Sequence, residues 1–417
     1  MTIRRVTIAG AGLAGLSAAV ALRQAGIGVA IADAAAQAGG RCRSYHDPQL
    51  DRIIDNGNHL VLSGNAAVQR FREAIGAVIP LAGPDHADFR FRDVRTGADW
   101  TVAMNDGRLP WWILTPSRRV PGSRIRDYLA LARLLGRGEG RIDARIRPAG
   151  LVWHRLLAPV LLAALNTDPA ESSSALAAAV VRETIGRGGA ATRPRIAEPT
   201  LAAAFVDPAV GWLASRDTTV AFGRRLRAIG FEGDRVGMLD WGNGAEPVAP
   251  DEAVLLAVPP WVAAALVPDL VAPDDFRAIV NGHFAFAPPP GAPPMLGLVG
   301  GTAEWLFAFP DRLSVTVSAA DRLIDGDREA LARRLWADVC AAYGIEAPLP
   351  RWQIVKEKRA TFAATPEQNA RRPGAATRWR NLFLAGDWTA TGLPATIEGA
   401  LRSGETAARL VIAAEPR

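Results

Sequence analysis

The chain has 417 residues, 49% of them apolar, with two cysteines and five histidines. The apolar share excludes global disorder, the length predicts two intertwined domains, and two cysteines without a C-x-x-C exclude a disulfide framework. Net charge is +6, carried almost wholly by arginine, since Lys356 and Lys358 are the only lysines. The arginines form no basic tract, so no nucleic-acid partner is expected, although a modest positive surface suits anionic lipid. The histidines are dispersed and predict no metal site. No secretory signal fits before the first strand, which makes the cytoplasm the default compartment.

Val6 to Ala9 reads as a short apolar strand that feeds into Gly10-x-Gly12-x-x-Gly15. Gly10 permits the tight turn, Gly12 lets a pyrophosphate approach the backbone, and Gly15 lets the next helix pack close on the strand. That helix is predicted over Leu16 to Gln24. The unpaired N–H groups at its start, around Leu13 and Ala14, form the positive end on which phosphates sit. A second apolar run, Ile27 to Ala32, ends at Asp33, 18 residues after Gly15. A carboxylate that holds a ribose hydroxyl falls at about this spacing. Together these signals predict a dinucleotide-binding unit.

Gly39-Gly40-Arg41-Cys42-Arg43 follows. The glycines allow a tight backbone path along a cofactor, and Arg41 or Arg43 can reach its diphosphate as a fork donor. With Gly39, Gly40 and Arg41 placed just past the ribose acid, the chain resembles the FAD-dependent amine oxidase and phytoene desaturase superfamily. Asp55-Asn56-Gly57 is a turn signal between apolar runs. It reads either as a hairpin or as a loop near the flavin, with Asn56 and His59 turned toward the ring and Asn56 and Gly57 as cofactor contacts. The run Asp-Asn-Gly-x-His-Leu looks most like the squalene-associated branch, the hydroxysqualene dehydroxylases. Asn58 stands where that branch often has glutamine.

Residues 85 to 105 alternate as strand material. From Leu109 to Val181 the pattern is helical and apolar. Its run Leu151 to Leu165 contains Pro159 and falls short of the about 20 residues needed to span a bilayer. Two readings stay open for this region: a buried helix pair over the substrate cavity, or a monotopic face with Trp111 and Trp112 at a membrane interface. Leu226 to Ile229 reads as a strand, and in the superfamily such a strand meets the adenine through its backbone, which implicates Leu226. Ala253 to Val258 is a continuous apolar run, as a strand buried on both faces should be. Arg328 to Tyr343 reads as a helix. In Gln353 to Phe362, a period of two puts Lys356, Lys358 and Ala360 on one face. Lys358 is then a candidate to hold a water near flavin N5, as amine-oxidase relatives do with a lysine; the alternative is a solvated strand.

Leu382 to Asp387 reads as a buried strand ending in Gly386-Asp387, and Pro394 suits the first turn of an Ala-rich helix. The resemblance implies that Asp387 meets the ribityl chain or bridges to the diphosphate. It further implies that Ala395, Thr396 and Ile397 approach the flavin, with two N–H groups aimed at N1 and the C2 carbonyl. A helix N-terminus there stabilises the negative charge of reduced flavin. Glu398 either complements that dipole or serves as an acid.

The resemblance covers essentially the whole chain and implies an α/β fold. A Rossmann-type FAD-binding domain (1–75, 205–262 and 375–417) carries an inserted mixed-sheet and helical substrate-binding domain (76–204 and 263–374), as in the amine oxidases. The implied reaction is reductive dehydroxylation of a C30 isoprenoid, hydroxysqualene, to squalene for hopanoid synthesis. Protonation releases an allylic hydroxyl, and reduced FAD gives hydride to the cation. His59 ranks first as proton donor, because an unperturbed imidazole titrates near working pH; Asp55 and Glu398 follow. No second glycine fingerprint appears, so an external electron donor is expected. The rivals are a carotenoid-type desaturase and a flavin-bound isoprenoid carrier without turnover. Peripheral attachment to the inner membrane remains open.

Overall fold

In a computed structural model, residues 3–136 and 138–414 are described. The chain opens with strand β1 (Arg5–Ala9), helix α1 (Leu13–Gln24) and strand β2 (Gly28–Ala32). β1 lies inside a five-stranded parallel sheet, in the order Leu382–Leu384, Glu252–Leu256, β1, β2, Val220–Ala221. Helices cover both faces of such a sheet, so its central strands are apolar without alternation. Accordingly Val6, Ile8, Val254, Leu255 and Leu256 are all fully buried.

Two close approaches hold the turn after β1. Gly10 has φ +107°, and a Cβ there would lie 2.3 Å from the Ala257 carbonyl oxygen. α1 then packs along the last helix, Ile397–Ala413, in one apolar cluster. Gly404 permits that contact, since a Cβ there would sit 2.3 Å from the Ala14 carbonyl oxygen.

A seven-stranded sheet is built from two distant stretches of chain. Its order is Trp352–Phe362, Phe276–Phe284, Arg312–Val317, Trp305–Phe309, Met295–Val299, Asp88–Asp93, Asp99–Ala103. The helix Arg328–Tyr343 covers one face through Leu331, Leu335, Trp336 and Val339. The alternating residues 85 to 105 form the antiparallel pair at one edge.

Three local expectations change. The hairpin near Asp55 joins Ser44–Asp47 to Arg52–Asp55, so its turn lies before Asp55, and Asn56-Gly57 leads onward to the strand Leu60–Leu62. The strand expected at Leu226 begins at Ala228. Pro394 precedes the last helix, which starts at Ile397 with Thr396 as its N-cap, the Thr396 hydroxyl accepting from Gly399 N–H at 3.0 Å. A capping threonine competes better for that boundary than proline does.

Residues 109–181 break into short helical pieces, among them Trp111–Leu114, Leu129–Leu134, Ala158–Leu165 and Ser174–Glu183. Leu151 to Leu165 is one helical run that passes through a π-helical turn at Trp153–Leu157, not a helix pair. Trp111 is half exposed, but Trp112 is buried edge-on against Tyr128. The expectation that both tryptophans face outward is therefore corrected: Trp112 belongs to the core. No helix among the described residues is long and apolar enough to cross a membrane.

Candidate active site

The site lies where the parallel sheet's loops meet the strand Trp352–Phe362. Gly12 is the N-cap of α1 and offers no capping side chain. A Cβ on Gly12 would meet nothing within 4 Å, so this side of the turn is open. Gly10 and Gly15 have no such room: a Cβ on Gly15 would lie 1.9 Å from the Gly10 carbonyl oxygen. The fingerprint is thus closed toward the protein and open at Gly12, the position where a phosphate must approach.

Asp33 follows β2 and accepts from Ala11 N–H at 2.7 Å and Ala35 N–H at 2.8 Å. The segment ahead of Leu226 folds against it, with Arg224 N–H donating to the Asp33 carbonyl at 2.9 Å and Gly223 N–H to that of Ala35 at 3.0 Å. Leu226 itself is buried. The two sequence-chosen residues for the adenosine end therefore belong to one corner of the fold.

Gly39 and Gly40 both have positive φ, and Gly40 packs against Gly12, its would-be Cβ 3.4 Å from the Gly12 Cα. This turn aims Arg41 at the C-terminal segment. Its Nη2 donates to Asp387 Oδ1 at 2.7 Å and its Nη1 to the Ala360 carbonyl at 2.5 Å. Among the described residues, Arg43 donates only to the Gly40 carbonyl. Of the two arginines weighed as diphosphate donors, Arg41 is the one joined to Asp387.

Gly386 has φ +148°, and its N–H donates to Ser403 Oγ at 2.8 Å. Arg372 crosses beneath this turn and donates from Nη2 to the carbonyls of Asp387 and Thr389 and to Thr391 Oγ1. Burial lowers its pKa to about 10. Nothing in the sequence marked Arg372, because its partners lie 15 to 19 residues onward across an irregular turn. Beyond it, Ala395 and Thr396 lead into Ile397; among the described residues, the N–H groups of Thr396 and Ile397 have no acceptor.

The loop from Asp55 to His59 closes the other side. The His59 Nδ1 lies 2.9 Å from the Gly57 carbonyl, so Nδ1 carries the proton, and Nε2 points toward Cys42 Sγ at 3.9 Å. Burial holds the imidazole below its ordinary pKa of 6.5 against the opposing pull of the Gly57 carbonyl and Asp55. The expectation of an unperturbed imidazole is corrected: desolvation disfavours the charged form. Burial likewise pushes the Cys42 thiol up to about 12, which keeps it protonated. Asn56 Nδ2 donates to Glu357 Oε2 at 3.2 Å. Glu357 was missed because the period-two reading selected the opposite face of its strand.

That selection is corrected in turn. Lys356 Nζ donates to the carbonyls of Ile324 and Gly326, and Lys358 is exposed, its Nζ 3.9 Å from Asp325 Oδ1. Glu357, between the two lysines, is the residue of this strand that meets Asn56.

The remaining two acid candidates are structurally engaged. Asp55 Oδ1 accepts from Ser44 Oγ at 2.5 Å and from Leu201 N–H at 2.9 Å, which ties the hairpin to the start of the helical run after Thr200. Burial raises its pKa. Glu398 accepts from Ala67 N–H, Val68 N–H and Arg402 Nε, at 3.1, 3.0 and 2.7 Å. It caps helix α2 (Ala66–Ala74), whose own N-cap Asn65 makes no side-chain capping bond. Its role as an acid gives way to dipole complementation, with its oxygens taken by α2 and Arg402.

These residues fit FAD: an open glycine turn at a helix start, a ribose-side acid, an arginine–aspartate pair and a second helix start with free N–H groups. Comparison with known proteins agrees. The family model for flavin containing amine oxidoreductase matches residues 13–412. The chain is 54% identical over 413 residues to a hydroxysqualene dehydroxylase of Rhodopseudomonas palustris, covering 99% of each chain. It is 53% identical over 410 residues to that of Sinorhizobium fredii, covering 98% of each, and 47% over 406 residues to that of Zymomonas mobilis, covering 97% of this chain and 98% of the other. Among solved structures it resembles a putrescine oxidase double mutant at TM-score 0.71 and 15% identity, covering 98% of this chain and 99% of the other. A cyclohexylamine oxidase from Brevibacterium oxydans matches at TM-score 0.69 and 17% identity, covering 98% of each. The chain belongs to the flavin containing amine oxidoreductase family and is an FAD-dependent oxidoreductase.

Proposed function

We propose that this enzyme reductively dehydroxylates hydroxysqualene to squalene, as a step of hopanoid synthesis. The observation that carries the reading is the end-to-end similarity to three proteins named for that reaction. The fold supports it: Trp388 and Phe362 share one apolar core with Leu131, Leu134, Trp153, Leu157 and Leu161 of the helical region, apolar surroundings that suit a long hydrocarbon. Segments 1–75, 205–262 and 375–417 form the FAD-binding unit in this reading, with the rest as the substrate unit.

Bound FAD in its reduced form supplies the hydride. Arg41 and Asp387 would hold the cofactor, and the free N–H groups of Thr396 and Ile397 at the start of Ile397–Ala413 would stabilise negative charge on it. Apolar surroundings at the reacting carbon would exclude water, which would otherwise trap an allylic cation. His59 has its Nδ1–H committed to Gly57, so the ring must first take up a proton at Nε2, and this imidazolium Nε2–H is the one delivered to the departing hydroxyl. The C–O bond breaks, water leaves, and hydride closes the vacant carbon, so atoms and electrons balance. The reductant comes from outside the chain.

Anaerobic single-turnover reoxidation of photoreduced enzyme by hydroxysqualene, with lipid extraction, tests the reading. Squalene formed in step with flavin reoxidation is the expected result. Reduction of oxidised enzyme by a saturated or less conjugated isoprenoid, without reoxidation by the alcohol, would establish a desaturase instead. Flavin unchanged by both would leave an isoprenoid carrier.

A further inference from the structure

Seven large apolar side chains between Leu109 and Leu151 face solvent: Leu109 is 80% exposed, Leu114 62%, Leu129 56%, Ile125 52%, Trp111 50%, with Leu151 and Leu135 at 44% and 40%. They belong to one packed subregion. Trp112, beside Trp111, packs on Tyr128, and Arg118 lies over the Trp111 ring. Gly122 faces Leu151, with its would-be Cβ 3.3 Å from Leu151 Cδ1. Asp127, Ala130, Arg147 and Leu151 line one shallow cleft of about 160 Å³.

The charge of this stretch is independent of its exposure. Residues 108–155 hold eleven arginines and three acids, Asp127, Glu139 and Asp143, a net +8 where the whole chain carries +6. All the excess positive charge of the protein therefore resides here, and the remainder is slightly acidic. Arg108, Arg126, Arg133 and Arg147 are exposed, and among the described residues their side chains make no ion pair or hydrogen bond. Exposed leucines and a tryptophan among unpaired arginines make a surface whose complement is an apolar layer beneath negative headgroups.

We propose that residues 108–155 dock this enzyme on the surface of an anionic lipid bilayer. The proposal rests on the lipid-substrate reading above and names the partner of that site. The buried side of the same helices reaches the apolar core around Trp388 and Phe362. Just past this stretch, Asn166 Nδ2 donates to Thr361 Oγ1 at 2.9 Å on the strand that carries Glu357, and Ser173 N–H donates to the Ala364 carbonyl after that strand. A hydrocarbon leaving the bilayer under this face would meet the active-site core without crossing water.

The test is sedimentation of the FAD-loaded enzyme with vesicles of phosphatidylcholine alone and with one-third phosphatidylglycerol, at low and high salt. Wild-type protein should pellet with the anionic vesicles at low salt and lose much of that binding at high salt. Trp111→Gln with Leu114→Gln, and separately Arg126→Glu with Arg133→Glu, should each weaken binding roughly tenfold or more. Equal binding to both vesicle types, or variants that pellet like wild type, would overturn the proposal. So would a wild-type dimer in solution that Trp111→Gln converts to monomer, which would assign the face to a second copy. Single-turnover reoxidation by detergent-solubilised hydroxysqualene should stay at the wild-type rate in both variants, with only vesicle-borne substrate affected. Loss of the micellar reaction in wild type would instead refute the dehydroxylase reading.

Discussion

Glu398→Gln separates a structural role from a chemical one. The Glu398 carboxylate is buried and accepts three hydrogen bonds, two from the uncapped start of α2 and one from Arg402. A hydrogen bond to a charged group contributes about 1.5–3 kcal/mol. Glutamine keeps one oxygen for these donors and turns an NH2 toward the others, so roughly 3 kcal/mol of stability should be lost. Arg402 retains Glu183 at 3.2 Å, which limits the cost. An unfolding entropy of about 2.1 cal/mol/K per residue gives ~0.9 kcal/mol/K for a chain of this length, so the melting midpoint should fall by about 3 °C. Single-turnover reoxidation by hydroxysqualene, measured well below that midpoint, should remain within about twofold of wild type, whereas loss of a general acid costs about a hundredfold or more. An unchanged melt with reoxidation slowed a hundredfold would refute the capping assignment and make Glu398 the acid.

Gly12→Val should fold, because a Cβ there meets no protein atom within 4 Å, yet it should lose FAD; a variant that purifies yellow at wild-type flavin content would contradict the phosphate path. Denaturing the wild-type protein should release its flavin to the supernatant, since the Cys42 thiol is held protonated, and colour retained in the pellet would indicate a covalent link. His59→Ala should slow reoxidation by about a hundredfold with FAD retained. In wild type the rate should rise as pH falls through 6.5, because burial puts the imidazole pKa lower and the imidazolium fraction is still growing there; a pH-independent rate would remove His59 from proton delivery. Lys358→Ala should leave reoxidation unchanged, given its exposure and its orientation toward Asp325, and a tenfold loss would restore it to the mechanism.

The N-terminal unit was legible because its signals are local. A strand, three glycines, a helix and an acid lie within 33 residues; Gly10 and Gly15 answer backbone requirements that no other residue meets, and Gly12 leaves open the side where a phosphate approaches. Gly10, Gly12 and Gly15 occupy those positions, and the apolar run at Ala253 became a central strand because burial on both faces leaves no alternation to misread. The same holds for Leu382–Leu384 and for the helix Arg328–Tyr343, where Asp327 caps the start and Gly344 the end.

Side-chain direction was decided by the tertiary structure alone. A period of two divides Gln353–Phe362 into two faces without telling which one meets Asn56, and the fold brings Glu357 to it while Lys358 stands near Asp325. Likewise, a glutamate in a first helical turn complements a dipole wherever it points, but only the approach of Ala67 and Val68 shows that Glu398 serves α2 as well as its own helix. The imidazole of His59 has one ordinary pKa in any sequence, and the folded loop lowers it by removing water. Local pattern fixes which backbone conformations are allowed. Long-range packing fixes which polar atoms are left facing one another, and at Arg41 and Asp387, 346 residues apart, nothing short of the folded chain brings them to 2.7 Å.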